Sequence, residues 1–179
     1  FRVDGEFLGT SPITGAESID WEAMASGPCP GDRDKSCLYI GDIGDNAKKR
    51  SSIQIYAVPE PSPGQPATVV ATWDLTYPSK ARDAEALLVH PGTGRMLIVT
   101  KSGEGKSRIM SVPSEPAESS QEMTQVARVR IDGMISNQRK ITGGEWSPDG
   151  HHLVLRSYTD AMIWRVDECA PHAHWERPP

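Results

Sequence analysis

Four short segments of this chain match one another at a nearly constant interval, and no other feature restricts its fold so tightly. Phe1-Arg2-Val3-Asp4, Tyr56-Ala57-Val58-Pro59, Met110-Ser111-Val112-Pro113 and Trp164-Arg165-Val166-Asp167 place valines at 3, 58, 112 and 166, in steps of 55, 54 and 54 residues. A steady period of this length marks a repeated unit that buries its apolar surface against its neighbours. A second set of matches stands in phase with the first. Asp20-Trp21-Glu22-Ala23, Asp83-Ala84-Glu85-Ala86 and Gly143-Gly144-Glu145-Trp146 each put a Glu ahead of a turn-rich segment. An apolar run then follows each of them, at Cys37 to Ile40, Met96 to Val99 and Leu153 to Leu155.

Each unit reads as short strand, Pro/Gly turn, apolar strand, polar turn, alternating strand and a fourth strand. The fourth strands are predicted at Ala67 to Leu75 and Thr124 to Ile131, both rich in β-branched residues. A repeat built of helices is excluded, because 16 Gly and 15 Pro interrupt every unit and the apolar period is closer to 2 than to 3.6. Four strands in about 45–55 residues make one blade of a β-propeller, whose sheets cover each other's faces by stacking around an axis. The expected fold is therefore all-β: four-stranded antiparallel blades, about three of them, plus an outer strand, forming a partial ring. The boundaries read as an outer strand within 1–16, with a strand near Glu6 to Thr10, then blades at 17–79, 80–134 and 135–179. Closed propellers have about 4–8 blades, so further sequence or a further chain is expected to complete the circle.

Cys29 and Cys37 bracket a short Pro/Gly/Asp segment between two strand-like stretches. A hairpin brings its ends together, so the spacing predicts a disulfide and, with it, an oxidising compartment. Two free thiols are the alternative, and Cys169 has no evident partner. The net charge of −5 argues against a nucleic-acid partner. The one run of cations, Lys48-Lys49-Arg50, reads as a solvated hairpin tip. No apolar run approaches the roughly 18–20 residues of a membrane span.

Two sets of motifs carry a resemblance. Trp146-Ser147-Pro148-Asp149-Gly150, followed by an apolar strand, resembles the Ser-Pro-Asp-Gly hairpin of TolB-like and YVTN-like propellers. Asp20-Trp21-Glu22, Gly41-Asp42-Ile43-Gly44-Asp45-Asn46 and Asp83-Ala84-Glu85-Ala86-Leu87 together resemble a family of secreted actinobacterial propellers, of the dispase autolysis-inducing protein type. That resemblance implies a secreted, extracellular or periplasmic propeller acting on another protein by binding it.

Candidate site residues follow from the repeat. Glu22, Glu85 and Glu145 are read as equivalent positions on three first strands, an arc of carboxylates at one end of a central channel. Such an arc either recruits a cation, with calcium preferred by oxygen ligands, or holds neighbouring blades through backbone N–H groups. Asp42, Asp45 and Asn46 offer three oxygen-bearing side chains between two glycines, either a calcium site or a self-bonded turn. Lys101 and Arg156, at the ends of second strands, are the cations able to meet a phosphate. Trp21, Trp73, Trp146 and Trp164 are expected in the core between blades, with Trp175 outside it. His90, His151 and His152 fall in turns, and His172/His174 are read as a terminal tail or a transition-metal pair. No Gly-x-Ser-x-Gly elbow, His-Glu-x-x-His helix or phosphate-cradling glycine loop occurs. Two functions remain. One is a non-enzymatic secreted scaffold binding another extracellular protein or ligand. The other is a calcium-dependent, phytase-like phosphoesterase with an acidic channel mouth.

Overall fold

The computed structural model describes residues 2–166. Its strands are β1 (Ile13–Thr14), β2 (Trp21–Cys29), β3 (Asp32–Asp42), β4 (Ile53–Pro59), β5 (Ala67–Thr68), β6 (Ala71–Thr76), β7 (Ala84–Val89), β8 (Met96–Thr100) and β9 (Lys106–Ser111). β10 (Gln121–Glu122), β11 (Thr124–Arg130), a single turn of helix α1 (Ser136–Arg139), β12 (Gly143–Trp146), β13 (His152–Arg156) and β14 (Ala161–Arg165) follow. Blade 1 is the antiparallel sheet β2-β3-β4-β6, blade 2 is β7-β8-β9-β11, and blade 3 is β12-β13-β14 among the described residues. The fold is all-β, and the three sheets stack as propeller blades.

Alternation along the central blade shows why they stack. In β7 and β8, Leu87, Val89, Met96 and Ile98 enter a core with Ala25, Tyr39, Ile55 and Trp73 of blade 1. The residues between them, Ala86, Leu88, Leu97 and Val99, enter a second core with Trp146, Leu153, Leu155 and Trp164 of blade 3. A strand sends successive side chains to opposite faces, so blade 2 is covered on both. That is why all five residues of β8 are buried. The first strand β7 lies between β2 and β12, which sets the inner strands of the three blades side by side.

Each blade opens with the same hairpin chemistry. Gly31, Gly94 and Gly150, in the turns between first and second strands, all have positive φ (76°, 68° and 74°), a conformation costly for residues with a Cβ. Ser147 to Gly150 closes the blade 3 turn through the Gly150 N–H donating to the Ser147 carbonyl at 2.8 Å. Cys29 and Cys37 are joined by a disulfide across the β2–β3 hairpin, their Cα atoms 4.9 Å apart.

Several sequence expectations need correction at the edges. No strand forms at Glu6 to Thr10. The first is β1, which pairs in parallel with β5 while Ile13 and Ala16 help cover the far face of blade 1. Val3 is fully exposed in a turn, so the first copy of the valine motif lacks the third-strand setting of Val58. The predicted strand from Ala67 to Leu75 is divided at Val69 and Val70: β5 pairs outward with β1, whereas β6 pairs with β4. Trp21 is 38% exposed, its indole N–H donating to the Glu17 carbonyl at 2.8 Å, and lies outside the core that holds Trp73, Trp146 and Trp164. Cys169, His172, His174 and Trp175 lie outside the described residues.

Candidate functional site: the cleft between blades 1 and 2

One pairing recurs at the end of the first hairpin in every blade. The first residue of each first strand pairs with the last of the second: Trp21 with Asp42, Ala84 with Thr100 and Gly143 with Arg156. In blade 1 the pairing extends outward as a row, Asp42 opposite Gln54 and Gln54 opposite Asp74. Hydrogen bonds run its whole length. Arg50 reaches back from the β3–β4 loop to donate to Asp42 (2.6 Å) and to Gln54 (2.8 Å), and Gln54 donates to Asp74 (2.7 Å), which also accepts from Ser120. Asp42 is wholly buried, Arg50 is 13% exposed, and the Ile19 and Asp20 N–H groups complete the carboxylate's partners at 2.8 and 3.1 Å. Burial pushes the Asp74 carboxyl up, but hydrogen bonds from Ser120, Ser52 and Gln54 outweigh it and hold the group below its ordinary value.

Asp45, also buried, accepts from the Lys49 and Arg50 N–H groups, and its own N–H donates to the Asp83 carboxylate at 2.9 Å. The loop of blade 1 is thereby tied to the entry of blade 2. Asp42, Asp45 and Asn46 are thus distributed among a buried ion pair, a loop-closing turn and solvent, and do not converge. No group of three or more His, Cys, Asp or Glu among the described residues is placed to hold a metal ion. The Lys48-Lys49-Arg50 run is not a uniformly solvated tip either: Arg50 is the cation of the buried pair.

Glu22 and Glu85 each occupy the unpaired bulge position of their first strand, between Trp21 and Ala23 and between Ala84 and Ala86. A bulge re-aims the side chain at its extra residue. The two carboxylates share one neighbourhood, and burial, then Glu85, Asp20 and Asp83, push the Glu22 carboxyl above its ordinary value. Lys101 bonds Glu85 and stands 3.7 Å from Asp83. Burial alone would lower the Lys101 ammonium; the Glu85 hydrogen bond and the two carboxylate charges raise it instead. Glu145 does not share this position. Blade 3 lacks the bulge, and Glu145 pairs with Val154, on the face turned away from Leu153 and Leu155 and so from blade 2. Arg156 is also separate, lying over Gly143 and donating to the Thr142 hydroxyl at 2.9 Å. His90 accepts from the Gly92 and Thr93 N–H groups and packs edge-on against Trp146 with ring centroids 5.0 Å apart, a joint between blades 2 and 3.

Beside Lys101 opens a cleft of about 780 Å³, within the size range of small-ligand sites. Blade 1 contributes Lys48, the one non-glycine residue of positive φ (53°) among the described residues, while the entry to β7, the β8–β9 turn and the outer strands of blade 2 supply the rest. Among the described residues eight cationic and three acidic side chains line it, on a chain whose net charge is −5. The sequence reading identified Lys101 alone of the cations that blade 2 contributes. The others, among them Arg82, Lys106, Arg108 and Arg128, come from separated segments that pairing brings together. No family model and no curated protein matches this chain. It is similar in shape to a chain in a crystal structure of the mitotic checkpoint complex, at 18% identity and a TM-score of 0.44, over 82% of this chain and 36% of that one. The chain thus spans little more than a third of that neighbour's length.

Proposed function

We propose that this chain is the ligand-binding part of an extracellular, non-enzymatic β-propeller, and that its ligand or protein partner enters the cleft between blades 1 and 2. The observation that carries the reading is the cleft itself, a polar recess assembled from two blades and opening beside a structured ion-paired group, Lys101 with Glu85 and Asp83. Support for an extracellular setting comes from the disulfide, since such bonds persist in oxidising compartments. No helix among the described residues is long and apolar enough to cross a membrane. Support for binding over hydrolysis comes from the carboxylates: Asp42, Asp45, Asp83 and Glu85 are all engaged by Arg50, Lys101 or backbone N–H groups.

A thermal-shift panel of peptides, glycans and phosphorylated metabolites tests the proposal, alongside turnover of a generic phosphate ester with and without calcium. The expected result is a raised Tm for a subset of ligands, lost in Lys101→Met, and no turnover. Calcium-dependent turnover abolished in Glu85→Gln would replace this reading with that of a phosphoesterase.

A further inference from the structure

Resting on that binding reading, we infer that the cleft is selective for an oligoanion, a ligand carrying two or more phosphate or sulfate groups about 5–7 Å apart. Strand pairing carries the argument. On β9 and β11, Arg108 stands directly opposite Arg128, and Lys106 opposite Arg130. Cross-strand neighbours on one face lie about 4.5–5.5 Å apart, and like charges placed so are destabilising. Residues two apart along a strand are separated by about 7 Å. The four cations therefore form a small lattice on the face of blade 2 turned toward blade 1, where Met110, in the same alternation, enters the shared core.

Little charge among the described residues neutralises this lattice; Arg108 has a neutral partner, donating to the Gln125 side-chain carbonyl at 2.7 Å. Among the described residues, Lys106, Arg108 and Arg128 make no ion pair, nor do Lys48, Lys80 and Arg82 around the same cleft. Arg130 meets only Asp132, at 3.4 Å with both side chains largely exposed. Burial lowers the Arg82 guanidinium below its ordinary value, and repulsion from Arg108 and Arg128 adds to it, so the cations sense one another across the cleft. Such a set gains from any ligand that brings negative charge at matching intervals, and arginine's planar fork suits the paired oxygens of phosphate or sulfate.

The lining also indicates what the ligand lacks. Among the described residues it contains no aromatic side chain, whereas binding of single-stranded nucleic acid relies on bases stacking upon aromatic rings. The contacts on offer are to the ligand's charges, with Thr100 and Ser102 as neutral donors between them.

Isothermal titration of the whole chain with inorganic phosphate, tripolyphosphate, a heparin-derived hexasaccharide and a single-stranded DNA oligomer tests the inference. Tripolyphosphate or the hexasaccharide is expected to bind more than about tenfold tighter than phosphate, because several cations act together. The tighter of the two then identifies phosphate or sulfate as the source. Arg128 and Arg130 are exposed, so Arg128→Gln/Arg130→Gln keeps the fold; it should weaken that binding at least about tenfold and reduce the slope of log affinity against log salt by about two, one per cation. Lys35→Gln, at the other end of β3, should change neither. The inference fails if no oligoanion binds more tightly than phosphate, if the double variant binds unchanged, or if the DNA oligomer binds as tightly as both. Such a failure leaves the binding-module reading standing, since that reading is tested separately by the thermal-shift panel and by calcium-dependent turnover.

Discussion

Blades 1 and 2 hold the same structural row and fill it with opposite chemistry. Asp42, Gln54 and Asp74 cross blade 1, and Arg50 folds back to complete the series. At the equivalent places of blade 2 stand Thr100, Arg108 and Arg128, with the Arg108 N–H donating to the Thr100 hydroxyl at 2.9 Å. The first row is closed: each charged group meets an opposite charge or a hydrogen-bond partner inside the blade. In blade 2 Arg108 meets only the neutral Gln125 side chain at 2.7 Å and no acid, and the row faces a cleft. Since both rows share backbone register and facing, the fold does not require the open arrangement, and the difference lies in which side chains were placed there. Blade 1 also carries the disulfide, so its rigidity is secured twice.

The largest expected effect tests whether the blade 1 row is closed. Arg50→Ala would leave Asp42 buried without its cation, and breaking a buried pair this way costs about 3–5 kcal/mol. Urea unfolding should show the midpoint falling with an unchanged slope. A loss below about 1 kcal/mol, the worth of an exposed ion pair, would mean that the row is open after all. Replacing both Cys29 and Cys37 with Ala should cost about 2–3 kcal/mol, from the entropy of closing so short a loop. Calorimetry of the oxidised and doubly substituted proteins checks this.

Closing the second row should stabilise. Arg128→Glu gives Arg108 an opposite charge across the strands in place of a like one, a gain of up to about 1 kcal/mol. The gain should shrink at high salt, and a loss of stability would show that Arg128 already has a compensating partner. The smallest effect concerns the bulge. Glu22 has a raised folded-state pKa, so the native chain binds its proton more tightly than the unfolded chain. Its ionisation therefore weakens the fold as pH rises through the window just above the ordinary value of 4.5, and the penalty vanishes below it. Glu22→Gln should remove that pH dependence and stabilise neutral solutions by no more than about 0.5 kcal/mol, since the group is largely solvent-screened. Equilibrium denaturation between about pH 4 and pH 7 is the check.

Strand order within the blades was readable from local signals. Apolar runs such as Met96 to Val99, glycines at 31, 94 and 150, and a 54-residue interval each report on a few neighbouring residues and agree with one another. Cys29 and Cys37 were legible for the same reason, because a hairpin closes over a short distance. Glu145 misled because equivalence in sequence ignores a bulge: one unpaired residue in β2 and in β7, absent from β12, moves the third Glu to the other face.

The chain's sequence by itself determined the repeat, the all-β character and the first hairpin of each blade, since all depend on periodicity and turn geometry over short spans. Tertiary structure alone decided the cleft. The pairs Lys106/Arg108 and Arg128/Arg130 are each an unremarkable cation-x-cation alternation in a chain of net negative charge. They become one charged surface only when β9 and β11 pair in a particular register and Lys48 arrives from the neighbouring blade. Electrostatic interaction depends on distance in space, and residues some twenty to eighty positions apart have no fixed distance until the sheets have formed.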